Sequence, residues 1–171
     1  IDISVMTNKH LTFAIFGNSF QPRKSQSLMR VLDFLRSKGA SIIFDRTFYD
    51  FLTAEQNQEL GNVGTFDGDD FNADYVISMG GDGTFLKAAV RVGIKSIPLI
   101  GINMGRLGFL ADVLPGEVES ALQAVLEGNY NIEEHTAIQI STSGGDFDGC
   151  HYALNDIAVL KRDIASMIGI H

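Results

Sequence analysis

The feature that most constrains this chain is the order in which two apolar periods follow one another. Residues 12–16 read TFAIF, a short run suited to a buried strand, and the run stops at Gly17. Behind it, residues 25–38 set Leu28, Val31, Leu32 and Leu35 at the i, i+3, i+4, i+7 spacing of one helix face, and Gly39 supplies a stop. Residues 41–44 form a second apolar run and residues 51–60 a weaker helical segment. A polar, acidic loop is expected over residues 61–74, with Asp67, Asp69, Asp70 and Asp74. Residues 75–79 suit a strand buried on both faces, followed by a helix over 85–92 and a strand over 97–102. Parallel neighbours need crossover helices, and successive strand–helix units supply them. The spacing therefore predicts an α/β fold with a doubly wound parallel sheet over the first hundred or so residues.

The pattern then changes. Residues 118–126 make one more helix, entered through Pro115-Gly116 and ended at Gly128. Residues 137–141 and 152–160 read as strands, joined by Gly144-Gly145-Asp146-Phe147-Asp148-Gly149, whose Gly-Gly and Asp-Gly pairs favour reversal. This predicts a boundary near residues 130–135. Residues 1–132 form a Rossmann-like α/β domain, and residues 133–171 begin an all-β C-terminal domain. That second part holds too few strands to close a β core, and it ends in the apolar segment 165–170, so the length reads as a truncation.

Composition removes several function classes. Thirteen Lys and Arg against 21 Asp and Glu give 13 − 21 = −8, which leaves no global basic footprint for nucleic acid or anionic lipid. Apolar stretches such as residues 97–102 are far shorter than the roughly 18 residues of a membrane span. A lone cysteine, Cys150, fits a reducing compartment, and residues 1–10 carry no export signal, so a cytoplasmic location is expected. The 18 glycines are unevenly spread. Seven of them (Gly80, Gly81, Gly83, Gly93, Gly101, Gly105 and Gly108) fall within residues 80–108, which concentrates special backbone positions there.

The sharpest motif is Gly80-Gly81-Asp82-Gly83-Thr84-Phe85-Leu86-Lys87, placed where a buried parallel strand gives way to a helix. Open α/β sheets bind ligands at such strand ends, where the next helix offers free N–H groups and a positive dipole end. Glycines without a Cβ let a phosphate chain approach the backbone, and the N–H groups of the turn can hold its oxygens. A carboxylate would repel phosphate there unless a metal or a proton transfer gives it work. Asp82 is thus a candidate general base for a hydroxyl attacking a terminal phosphoryl group. A plain helix cap followed by a tight turn is the competing reading. The motif is no dinucleotide-fold GxGxxG, since position 86 is Leu, and no GxxxxGK[ST] loop occurs in the chain.

Gly80-Gly81-Asp82-Gly83-Thr84 resembles the signature of the NAD kinases. Gly101-Ile102-Asn103-Met104-Gly105-Arg106-Leu107-Gly108-Phe109-Leu110 is similar to that family's second glycine-rich stretch, and Ala153-Leu154-Asn155-Asp156 to its Asn-Glu/Asp motif. Three motifs in the family's order are more specific than any one of them. The resemblance implies transfer of the terminal phosphoryl group of ATP to the 2′-hydroxyl of the adenosine ribose of NAD. Mg²⁺ or another divalent cation would accompany ATP. It further implies that Asp82 is the proton acceptor, that Gly80, Gly81, Gly83, Thr84, Leu86 and Lys87 line the phosphate turn, and that Asn103 and Arg106 serve the substrate. Leu107, Gly108 and Phe109 would line the adenine pocket, Asn155 and Asp156 would hydrogen-bond the adenosine, and Ser166 would contact substrate. Asp at 156 in place of Glu shortens the reach by one methylene and keeps the acceptor chemistry. Partners would be NAD and ATP, with no nucleic acid and no membrane, and a homo-oligomer, dimer or tetramer, at full length. A further Gly-Ser-Thr-Ala-Tyr-like motif of the family is missing before His171.

Blander readings stand beside these. Phe109, flanked closely by Leu107 and Leu110, reads locally as core. Arg106 is equally a solvated loop residue, and Asn155-Asp156 a polar break in an edge strand. His10, His135, His151 and His171 show no metal spacing, and the Asp67 to Asp74 loop lacks the pattern of a calcium loop and reads as solvated. No metal ligand is assigned. A lipid or sugar kinase using the same turn, or a non-catalytic nucleotide-binding module, remains the alternative function.

Overall fold

The structure is a computed structural model that describes residues 10–17, 25–55, 57–105, 108–141 and 152–154. The chain divides into two compact units, Ile1–Ile132 and Glu133–His171.

In the first unit the order is β1 (Thr12–Gly17), α1 (Ser25–Ser37), β2 (Ser41–Asp45), α2 (Arg46–Asp50), β3 (Gly64–Phe66), β4 (Tyr75–Gly80), α3 (Asp82–Val92), β5 (Leu99–Asn103) and α4 (Val118–Leu126). The five strands form one sheet in the order β3-β2-β1-β4-β5, and every pairing is parallel. The register sets Ala14 beside Ile43, Ile15 beside Ile77, and Met79 beside Ile102. Strand order reverses between β1 and β4. β1 connects to β2 on one side and β4 to β5 on the other, the arrangement at which open α/β sheets form a ligand crevice at the carboxyl ends of the strands.

Alternate residues of each strand feed two cores. Phe13, Ile15, Phe44, Ile77, Met79 and Ile102 pack with Leu28, Val31, Leu32 and Leu35 of α1 and with Val118 and Leu122 of α4. Ala14, Phe16 and Val76 face the other way, onto Ala88 and Val92 of α3 and the rings of Phe66 and Phe71. The four leucine and valine positions read from the helical period of α1 are all buried, each worth roughly 1.5–3 kcal/mol in apolar burial. The helix ends as its sequence suggests, at Gly39 with φ +71°, a conformation that carries no Cβ penalty in glycine. Below the amino-terminal edge of the sheet, Tyr75 stacks on Phe13 and shares a 3.0 Å hydrogen bond with the Tyr130 hydroxyl. That bond, together with burial, pushes the Tyr75 hydroxyl up to about 12.

Four boundaries differ from the sequence reading. β3 lies inside the stretch read as an acidic loop. It has three residues, of which only Phe66 is buried, so it carries no apolar alternation. The second helical segment begins at Arg46 rather than 51, because the Asp45 carboxylate accepts the Phe48 N–H at 3.2 Å and caps it. It continues as a π-helical turn, Phe51–Glu55, and is over before residue 60. β5 runs Leu99–Asn103, a shift of one to two residues. α3 starts three residues before the apolar period suggests, at Asp82.

In the acidic loop Asp67, Asp69 and Asp70 are exposed, as expected, and several of its carboxylates also find partners. Asp74 Oδ2 accepts the Thr12 N–H at 2.9 Å, Asp67 faces Arg46 at 3.5 Å, and Asp69 pairs with Arg91. In the second unit, β6 (Ala137–Gln139) pairs antiparallel with β7 (Tyr152–Leu154), with Ile138 opposite Ala153. The reversal at 144–149 lies outside the described residues, as does the remainder of the strand expected to run on to 160.

Candidate active site

β4 delivers its last residue, Gly80, to the crevice, and α3 starts two residues later. Gly80 has a packing reason: a Cβ there would overlap the Thr84 hydroxyl, so glycine lets the first turn of α3 fold back onto the strand. Gly81 is the N-cap, extended at φ −102° and with no side-chain capping bond. Its carbonyl accepts the N–H groups of Thr84 (2.9 Å) and Phe85 (3.1 Å). Helix geometry leaves the N–H groups of Asp82 and Gly83 without an intrahelical acceptor. At Gly81 and Gly83 a Cβ would meet no heavy atom within 4 Å, so nothing in the described residues demands glycine there.

Asp82 is therefore not the cap of its own helix. Its carboxylate accepts three backbone N–H groups from the far side of the turn. Oδ2 takes Phe109 at 2.8 Å, and Oδ1 takes Leu110 at 3.0 Å and Ala111 at 3.2 Å. The hydrogen bonds from Phe109 and then Leu110 hold the acid below the usual carboxylate range, since they favour the charged form. Desolvation opposes them and the Ala111 bond adds to them. Gly108 makes the approach possible, because a Cβ there would overlap Asp82 Oδ1. Gly101 does the same one layer below, where a Cβ would stand 2.6 Å from the Ala111 Cα.

The 104–112 excursion leaves β5 at Asn103 and returns beside it. The Asn103 N–H donates to the Val113 carbonyl at 2.8 Å, and the Val113 N–H to Gly101 at 3.0 Å. Met104 N–H reaches back to the Gly80 carbonyl at 3.0 Å, tying the excursion to the end of β4. The Asn103 side chain, 1% exposed, lies within the neck. Its Oδ1 accepts the Gly105 N–H at 2.7 Å and its Nδ2 donates to the Ala111 carbonyl at 3.2 Å. Phe109, which local sequence assigns to the core, is 99% exposed, because its backbone is held to Asp82 with no neighbour over the ring.

With that geometry in place, a sequence profile of the ATP-NAD kinase N-terminal domain matches residues 13–130. An NAD kinase of Bacteroides fragilis is 47% identical over 160 residues, 94% of this chain and 55% of that protein. The chain belongs to the NAD kinase family. An NAD kinase of Porphyromonas gingivalis is 35% identical over 158 residues, 92% of this chain and 54% of its own length. The chain thus spans about half the length of the curated relatives it matches. The crystal structure of yeast NADH kinase complexed with NADH superposes with a TM-score of 0.64 at 15% identity, over 85% of this chain and 46% of that one. At that identity the likeness carries the fold alone.

Read as an NAD kinase chain, the described residues bring Asp82 together with Gly108 and Phe109 of the second glycine-rich stretch, beside Gly81 and Gly83. Lys87 and Leu86 are exposed on α3, whereas the Thr84 side chain is buried under the turn and packs toward Gly80. Arg106, Leu107, Asn155, Asp156 and Ser166 lie outside the described residues, as do Cys150, His151 and His171. Sequence reading missed Leu110 and Ala111 as partners of Asp82. The bonds span 28 and 29 positions, which no local spacing signals. Among the described residues no group of three or more His, Cys, Asp or Glu is placed to hold a metal ion, and His10 meets Ser41 Oγ at 2.7 Å instead.

Proposed function

We propose that the protein phosphorylates NAD, transferring the terminal phosphoryl group of ATP to the 2′-hydroxyl of the adenosine ribose. The observation that carries this reading is the ionised Asp82 carboxylate, held by three N–H groups at the strand-order reversal beside two glycines with open space over them. Membership of the NAD kinase family supports it. In the reaction the ribose oxygen forms a bond to the terminal phosphorus, the bond from that phosphorus to the bridging oxygen breaks, and ADP leaves with its electron pair. The hydroxyl proton passes to Asp82 and then to solvent. A carboxylate held below its usual range is a weak base, yet that suffices. Phosphoryl transfer runs through a loose transition state in which the attacking hydroxyl sheds its proton late, so positioning matters more than basicity.

Backbone N–H groups of Asp82 and Gly83, with Lys87 and Arg106, would hold the phosphates. Leu107, Gly108 and Phe109 would receive the adenine, with Asn155, Asp156 and Ser166 completing the adenosine site. The described residues offer no protein cage for a divalent cation, so Mg²⁺ would travel on the phosphates of ATP. Residues 1–132 act as the phosphate-transfer domain and 133–171 as the beginning of an NAD-binding β domain. A cytoplasmic homo-oligomer, a dimer or tetramer, fits the family. No described helix is long and apolar enough to cross a membrane.

The test is an acceptor screen with ATP and Mg²⁺ against NAD, a diacylglycerol and fructose 6-phosphate. Only NAD should yield product, as NADP⁺, and Asp82→Asn should lower turnover by on the order of 10²–10⁴ while the fold is kept. Product from another acceptor alone, or full activity in Asp82→Asn, would refute the reading. Binding of NAD with no product at any metal concentration would identify a non-catalytic module.

A further inference from the structure

We propose that Asn103 is a positioning residue whose carboxamide holds Gly105 and Ala111 so that the 109–111 backbone presents three N–H groups to Asp82. Its part in catalysis rests on the reading of Asp82 as proton acceptor. The carboxamide is asymmetric, and each end meets its complement: the oxygen faces the Gly105 N–H and the nitrogen faces the Ala111 carbonyl. A flipped amide would set oxygen against oxygen and N–H against N–H, so the two neighbours fix one orientation. The two contacts lie near opposite ends of the 105–111 segment, six residues apart, and they close it into a loop. Ala111 is held at both sides of its backbone, by Asn103 at its carbonyl and by Asp82 at its N–H. The Asp82 carboxylate and the Asn103 carboxamide thus grip the same residue from β4–α3 and from β5, and a shift of that residue moves the acid.

Burial makes the device costly to replace. At 1% exposure, removing the carboxamide leaves a donor at Gly105 and an acceptor at Ala111 without partners. The neck bonds of Asn103 N–H and Val113 N–H are backbone bonds that Asn103→Asp and Asn103→Leu both keep. They keep β5 and the Val113 backbone together, so the loop's conformation and the sheet's integrity can be separated by experiment.

Asn103→Asp keeps the volume and the acceptor for Gly105 but turns an oxygen toward the Ala111 carbonyl. Asn103→Leu removes both arms. In the full chain, ¹³C NMR of the Asp82 carboxyl, assigned by its loss in Asp82→Asn, reads the acid directly, and amide exchange of Phe109, Leu110 and Ala111 reads its donors. The expected result is faster exchange at those three amides and an upward move of the Asp82 titration in Asn103→Asp, larger in Asn103→Leu. Exchange within β1 and β4 should be unchanged. Turnover should fall on the order of ten-fold and a hundred-fold respectively, with the KM for ATP within about two-fold. Unchanged titration and amides in a folded Asn103→Asp variant would overturn the proposal. So would loss of β1 and β4 protection together with the loop. If the unsubstituted protein forms no NADP⁺, the kinase reading fails, and the spectroscopic results alone decide whether Asn103 sets the loop.

Discussion

Glycine loses more backbone freedom on folding than any other residue and costs up to about 1 kcal/mol relative to alanine inside a helix or strand, so its presence needs a cause. Gly80, Gly101 and Gly108 have one inside the chain, since each would collide with a neighbour if it carried a Cβ. Gly81 and Gly83 have none among the described residues, and the space over them is what a phosphate chain approaching the backbone requires. Gly83→Ala should therefore leave thermal stability unchanged or raise it by up to about 1 kcal/mol, while NADP⁺ formation falls; a melt and an activity assay on one preparation check both. At Asp82 the sign of the pH dependence follows from the lowered folded value. The acid's contribution to stability is complete above the ordinary carboxylate range and is lost as pH falls from that range through the depressed folded value. Acid titration of the Phe109 and Leu110 amides should show release only at that lower pH, and Asp82→Asn should abolish the step. From sequence, the turn that carries Asp82 between β4 and α3 was legible because strand, glycines and helix are neighbours in the chain. The partners of the acid, and the buried position of Asn103, were not.

At the scale of elements, the apolar period located α1 and α4 well, because each has one buried face of leucine and valine against the same side of the sheet. It failed where capping or an edge position outweighs period. α2 owes its start to Asp45, which also meets Arg91 Nη1 at 2.9 Å, so one carboxylate joins the end of β2, the first turn of α2 and the last turn of α3. Arg91 in turn lies over the rings of Phe16 and Phe66 and donates to the Gly68 carbonyl, which draws the β3–β4 loop against the second core. Asp45→Ala removes a cap and one of the two carboxylates that meet the Arg91 guanidinium, Asp69 being the other. A loss of about 1–2 kcal/mol is expected in urea unfolding. Asp45→Asn, which keeps an acceptor for Phe48, should lose less.

Over the whole molecule, the sheet and both cores lie within Ile1–Ile132, while the described strands of Glu133–His171 make a two-stranded ribbon. A lone two-stranded ribbon is marginal in water, whereas five strands with a helix layer on each face suffice for a cooperative domain. Residues 10–132 made alone should show a single sharp thermal transition by circular dichroism, and residues 133–171 made alone should show none. Absence of a cooperative transition in residues 10–132 made alone would refute the boundary at 132/133. With a formal charge of −8, the chain as a whole repels anions, so in the proposed reaction capture of ATP and NAD would fall to a few local N–H groups and cations rather than to a general field.

The sequence by itself determined the alternation of strand and helix, the glycine-rich turn with its acid, and the family. All three are written in neighbouring residues, through side-chain period and backbone freedom. Only the tertiary structure decided that Asp82 turns away from its own helix to three N–H groups 27 to 29 residues on. The reason is sheet order. β5 pairs with β4, so the loops leaving Gly80 and Asn103 emerge side by side, and which strands become neighbours is a choice among long-range pairings that local periodicity does not encode.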